Sequence, residues 1–201
     1  MSSAILGFKV SSVMRNNLTR LEIIHALVAL DAECEKRGIA GEICIYGGAG
    51  MVLVFDARQS TRDVDAVFRP KAEIRTAAEA VASRLGLPLD WLNDGVKGFL
   101  SETEETRRIS IPELEVLQNL RIVWPTPEYL LAMKCMAARS DESSMDKEDV
   151  VFLFRQLCIK SEEQALEIVE RFFPKERIHI KTHYFISENL ESLKQSKVSE
   201  P

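Results

Sequence analysis

Apolar residues in the first part of the chain fall at Leu18, Leu21, Ile24, Leu27, Val28 and Leu30, a helical spacing. Lys36 and Arg37 followed by Gly38 predict the end of that helix near residue 38. The run EICIY at 42–46 is short, apolar and β-branched, which predicts a buried strand broken by Gly47 and Gly48. Residues 49–56 (AGMVLVFD) are almost continuously apolar, and period alone does not separate helix from strand there. A two-glycine turn directly after a strand favours helix. ARQSTR at 57–62 reads as a polar loop, and the alternation in DVDAVFR at 63–69 predicts a second strand. Residues 71–85 are helical in pattern, closed by Gly86 and Pro88.

Beyond residue 90 the pattern is less regular. DWLNDGVKGFL at 90–100 leads into an acidic loop, and 107–111 with 113–124 read as two or three short strands ended by Pro125 and Pro127. The remainder is helical in pattern over 126–138, 143–157, 161–172 and 182–194. The expected fold is α+β, a mixed sheet flanked by helices with a helical C-terminal region. The expected organisation is a loose arm at 1–17, a core at 18–125, a helical region at 126–194 and a frayed tail at 195–201.

Composition narrows the class. With 201 residues and 46% hydrophobic positions the chain can build a real core, and 28% charged residues do not suggest disorder. The formal net charge of -5 gives no global attraction for nucleic acid, so any such contact needs a local basic patch. Arg58, Arg62 and Arg69, or Arg107 and Arg108, could supply one. Cys34, Cys44, Cys135 and Cys158 are too far apart in sequence for a metal knuckle and read as buried thiols in a reducing compartment. No apolar run approaches a membrane span and no leader pattern opens the chain, so a cytoplasmic protein with no membrane partner is expected.

Two short segments carry candidate chemistry. Glycine tolerates positive φ and lets a phosphate approach backbone N–H groups, so Gly47 and Gly48 before a helix suit a phosphate turn. A plain tight turn needs the same residues. Asp63 and Asp65 lie at i and i+2 of a strand, so both carboxylates face one side while Val64 faces the other. Two adjacent carboxylates repel unless a cation lies between them, and hard oxygen donors suit Mg²⁺ or Mn²⁺. Fourteen residues separate Gly48 from Asp63, room for a short helix and a returning loop that would bring both elements to one cleft.

The stretch IYGGAGMVLVFDARQSTRDVDAVF resembles the nucleotidyltransferase superfamily motif, a glycine pair followed by DxD on the next strand. More narrowly, it is similar to the DUF6036-type nucleotidyltransferases, relatives of the AbiEii-type toxins of toxin–antitoxin and phage-defence systems. DWLNDGVKGFL, PTPEYLLAMKCMAAR and MDKEDVVFLF extend the resemblance over about residues 40–175. It implies a nucleotidyltransferase-type core that moves a nucleoside monophosphate from an NTP to a tRNA-like or protein hydroxyl, with an antitoxin as a partner. It places the triphosphate at Gly47 and Gly48 and the metal at Asp63 and Asp65. It puts Arg58, Thr61 and Arg62 on the loop entering the metal strand, within reach of phosphate. It assigns Lys134 to the nucleotide phosphates, Arg139 to the nucleotide site, and Asp146 and Asp149 to orienting that lysine or the nucleotide. Relatives often use a third carboxylate, for which Asp94 is the candidate ahead of Glu113 and Glu115.

The residues alone leave alternatives open. Lys134 sits among Leu130, Leu131, Met133, Cys135 and Met136, where a lysine either snorkels to solvent or reaches a cleft. Asp146 and Asp149 share a helix face and also suit the positive end of a helix dipole. Trp91 and Trp124 read as core. His179 and His183 have a helical metal-ligand spacing but no acidic or cysteine neighbour in sequence, which argues against a metal. A catalytically weak or inactive fold that senses nucleotide or binds a protein is the alternative to the enzyme.

Overall fold

A computed structural model describes residues 17–137 and 145–198. The strands are β1 (Leu18–Thr19), β2 (Gly41–Ile45), β3 (Ser60–Thr61), β4 (Val64–Arg69), β5 (Leu92–Asn93), β6 (Thr106–Arg107) and β7 (Leu120–Pro125). The helices are α1 (Arg20–Arg37), α2 (Gly47–Leu53), α3 (Lys71–Leu85), α4 (Pro127–Ala137), α5 (Asp146–Gln156), α6 (Glu162–Phe172) and α7 (Ile180–Val198). The fold is α+β. Five strands form a mixed sheet in the order β5-β4-β2-β7-β6, with β2 antiparallel to β4 and parallel to β7.

Side-chain alternation divides the molecule into two cores. Ile43 and Ile45 of β2, Ala66 and Phe68 of β4, and Leu120 and Trp124 of β7 face α1 and α3. Cys44, Tyr46, Val67 and Val123 face the other way and pack with the C-terminal helices α4 to α7. The C-terminal helices therefore form the second layer on the sheet. No helix among the described residues is long and apolar enough to cross a membrane.

Several expectations shift at the edges of elements. Leu18 does not open the first helix. Leu18 and Thr19 pair with Thr61 and Ser60, and Thr19 caps α1 through a box with Glu22, whose carboxylate accepts the Thr19 N–H at 2.9 Å. Residues 60–61 are thus a short strand within the predicted loop. The strand expected over 113–124 begins only at Leu120, because Pro112–Leu114 forms a 3-10 turn. Helix α7 continues to Val198, four residues into the segment read as tail. Residues 1–16 of the expected arm and 199–201 lie outside the described residues. Cys158 is exposed, while Cys34, Cys44 and Cys135 are buried as expected. Trp91 and Trp124 are both core residues.

A buried carboxylate fixes the entry to β7. Asp31 of α1 accepts hydrogen bonds from the backbone N–H groups of Asn119 at 2.8 Å, Leu120 at 2.7 Å and Gln118 at 3.2 Å. Those donors would otherwise be left unpaired at a chain reversal. Asp31→Ala is expected to lower unfolding free energy by roughly 2–4 kcal/mol, measured by urea denaturation; a loss below about 0.5 kcal/mol would mean that water replaces the carboxylate.

Candidate functional site

The order of the strands brings the singled-out residues to one place. Strand β2 ends at Tyr46, whose backbone N–H donates to the Asp65 carbonyl at 2.8 Å, so the chain turns at the glycines beside the start of β4. Asp65 shares the parity of Val67, which packs with the second core. That parity turns the Asp65 carboxylate toward the side of the sheet covered by the C-terminal helices. A cleft of about 680 Å³ opens there, in the size range of small-molecule sites. Gly47, Gly48, Arg58, Thr61, Arg62, Asp63, Asp65, Lys134 and Asp146 all line it.

Both glycines are required by their neighbours. Gly47 has φ +58, and a Cβ there would come within 2.8 Å of the Asp65 carboxylate. A Cβ on Gly48 would lie 3.1 Å from both Arg58 Nη1 and Thr61 Cβ, and would strike the Thr61 hydroxyl. The missing side chains thus make room for a carboxylate, a hydroxyl and a guanidinium packed around the turn. The same closeness shows that one edge of Arg58 is directed at the glycines.

The other edge of Arg58 is tied down. Its Nε donates to Asp149 Oδ1 at 2.6 Å, and its Nη2 reaches the second Asp149 oxygen and the Met145 carbonyl. Lys134 Nζ lies 2.6 Å from the same Asp149 carboxylate and 3.0 Å from Asp146. Asp149 is only 1% exposed, so it lies beneath the cleft and neutralises two cations that reach up to it. Lys134 therefore faces the cleft and does not snorkel outward. Asp146 and Asp149 are bound to cations, a firmer role than favouring a helix dipole.

Asp63 completes the acidic pair. Burial, then the charge of Asp65, pushes its carboxyl above the usual carboxylate range, against a hydrogen bond donated by Asn93 Nδ2 at 3.0 Å. Asn93 was not singled out in the sequence. Its register opposite Asp65 in the parallel pair of β4 and β5 places it there, and the only hint in the sequence is its place one residue after the buried Leu92.

Asp94, expected as a third metal ligand, is not on the cleft wall. Its carboxylate binds Lys71 and Lys97 at 2.7 Å each and Arg75 at 2.5 Å, and these cations hold it far below the usual carboxylate range. A one-residue step along the strand puts Asn93 in the cleft and turns Asp94 toward α3. Glu113 pairs with Arg20 at 3.4 Å, and Glu115 accepts a hydrogen bond from Ser110. Arg139 lies outside the described residues. His183 does have an acidic neighbour, with Nδ1 3.2 Å from Glu162. Among the described residues no three or more His, Cys, Asp or Glu side chains cluster as a metal cage. Comparisons of the chain with protein-family models, with curated proteins and with solved structures find no match.

Two outcomes follow from these charges. A raised native pKa means that protonating Asp63 favours the folded state, so its ionisation destabilises the fold above that pKa and not below the ordinary carboxylate range. Asp63→Asn keeps an oxygen for Asn93. In metal-free buffer at pH 7 it is expected to raise the melting midpoint by about 2–4 °C, a gain that vanishes below about pH 3; a fall at pH 7 would contradict the charge crowding. Asp149→Asn leaves two buried cations facing one carboxylate. It is expected to lose about 3 kcal/mol or more of stability in chemical denaturation, whereas a change near zero would show that solvent reaches the pair.

Proposed function

We propose that the chain is a metal-dependent nucleotidyltransferase of the DUF6036-type, AbiEii-like group. It would move a nucleoside monophosphate from an NTP to a hydroxyl of an RNA, tRNA-like in type, or of a protein, in a toxin–antitoxin or phage-defence setting. One observation carries the reading: the Asp63 and Asp65 carboxylates, the Arg58 and Lys134 cations and the glycine turn all line a single cleft.

The donor set suits Mg²⁺ or Mn²⁺. Asp63 and Asp65 offer hard oxygens, and their crowding is the condition a cation between them relieves. Mg²⁺ uses one or two carboxylates and takes its other ligands from water and phosphate, so a larger acidic cage is not needed. When bound, the ion would neutralise phosphate charge and lower the pKa of the attacking hydroxyl.

The chain's own residues orient the reactants. Arg58 directs Nη1 toward Gly48, where a phosphate oxygen would meet both a guanidinium and the backbone turn. Lys134 carries three ammonium donors, of which Asp146 and Asp149 account for two among the described residues. In the reaction the acceptor oxygen bonds to the α-phosphorus and the bond from that phosphorus to the pyrophosphate oxygen breaks. Pyrophosphate leaves, and the hydroxyl proton passes to a carboxylate of the pair or to water. Most of the rate gain would come from positioning and fixed charge.

A second reading has its own support. Asp94 and Asp146 are both bound to cations, so among the described residues neither stands ready as a third acid to act as a base. That favours a nucleotide-sensing or protein-binding module with weak turnover or none.

The test incubates purified protein with Mg²⁺, each NTP radiolabelled at the α-phosphate, and bacterial RNA or protein extract. Label on RNA or protein is expected with wild type. An Asp63→Ala/Asp65→Ala double variant should show it reduced on the order of 100-fold or more. Nucleotide binding without transfer would support the sensing module, and no nucleotide binding would overturn both the enzyme and the sensing module and leave only a protein-binding one.

A further inference from the structure

The wall of the cleft beyond the carboxylates is a 3-10 turn, Gly95–Phe99, packed between β4 and α4. Val96 and Leu100 anchor this segment in the second core, and Phe99 lines the cleft with 36% of its surface exposed. Leu130 and Met133 of α4 line the same cleft, so an apolar surface lies beside the charged one. A partly exposed ring beside other apolar side chains in a cleft offers a face that a ligand can cover.

The turn is fixed relative to the carboxylates. Asn93 Nδ2 donates to Asp63, and Asn93 Oδ1 accepts the Gly95 N–H at 2.9 Å, so one side chain joins the acidic pair to the start of the turn. A Cβ on Gly95 would stand 3.9 Å from Asp65 Oδ1. Asp94, gripped by Lys71, Arg75 and Lys97, clamps the turn onto α3 from outside. At a 3-10 rise near 2.0 Å per residue, Phe99 lies roughly 8 Å along the wall from Gly95. A ribose bridges a gap of that order between a phosphate and a base.

We infer that Phe99 is the stacking platform for the base of the nucleotide whose phosphates lie at Asp63, Asp65, Arg58 and Lys134. The inference rests on the nucleotidyltransferase reading and adds to it the base subsite. A ring face recognises any nucleobase, so this contact sets affinity for the base as a class and favours purines by their larger face. It also gives Asp94 a function: it holds the platform in place and is not a metal ligand.

The test measures equilibrium binding of ATP, GTP, CTP, UTP and inorganic tripolyphosphate, each with Mg²⁺, to wild type, Phe99→Ala and Phe99→Trp. Phe99→Ala is expected to weaken all four nucleotides about 5- to 100-fold, to narrow any purine preference, and to leave tripolyphosphate unchanged. Phe99→Trp should restore nucleotide binding. Phe99→Ala removes some covered apolar surface, so a small drop in melting midpoint is expected, and unchanged tripolyphosphate binding shows that the cleft stays folded. Equal weakening of nucleotides and tripolyphosphate would overturn the proposal by showing that Phe99 only shapes the turn. Unchanged nucleotide binding, with or without weaker use of an RNA acceptor, would overturn it by placing the base elsewhere. If wild type binds tripolyphosphate and nucleotides equally, the phosphate site stands and the base platform falls. If it binds neither, the nucleotidyltransferase reading falls and takes the platform with it.

Discussion

Asp149 holds two cations at once, and the arrangement of the cleft depends on that contact. Arg58 comes from the loop after α2, Lys134 from α4 and Asp149 from α5, so one carboxylate ties the sheet region to the C-terminal helices. With Asp146 included, two positive and two negative groups meet and their formal charges cancel. Ion pairs this buried gain little net stability, because desolvation offsets much of the attraction. What they do supply is position. Neither cation can leave without stranding a charge, so Arg58 and Lys134 stay at the cleft.

The sheet imposes a second constraint. A period of two sends Asp65 and Val67 to one face and Ala66 and Phe68 to the other. A carboxylate on the outward face of a one-sided sheet would be solvated and unremarkable. Here that face is covered by α4 to α7, so Asp65 sits where the cover ends and a cleft begins. The helical C-terminal region is for this reason part of the site. It contributes Lys134, Asp146, Leu130 and Met133 to the cleft lining.

Much of this was legible in the sequence because it rests on local periodicity. The DxD spacing gave the shared face of Asp63 and Asp65, and EICIY followed by two glycines gave the strand and its turn. Lys134 stood out as a charge with apolar neighbours on both sides in its helix. What was not legible depends on partners far away in sequence. The roles of Asn93 and Asp94 differ by one position, and only the pairing of β5 with β4 and the approach of Lys71 and Arg75 separate them. Leu18–Thr19 and Ser60–Thr61 are too short to show alternation, and each is a strand only because the other is there. Nothing in the sequence singles out Asp31 on its helix. Its role appears once the reversal at 118–120 is folded against it.

The glycine pair shows how a motif can have two sufficient causes. In sequence, Gly47 and Gly48 suggested a surface that a phosphate approaches closely. In the fold, Gly47 leaves room for the Asp65 carboxylate, and Gly48 leaves room for Thr61 and Arg58. Steric demand inside the protein already excludes a side chain at both positions, with no ligand invoked. The glycines are thus neutral between a nucleotide cleft and a tightly packed turn. Other groups on the cleft wall distinguish the two. Two crowded carboxylates lie on a cleft wall, one of them with a raised pKa. Phe99 leaves about a third of its surface exposed on the same cleft. The crowding at Asp63 is a cost to the fold, and on the proposed reading a bound metal offsets it while a base covers the ring.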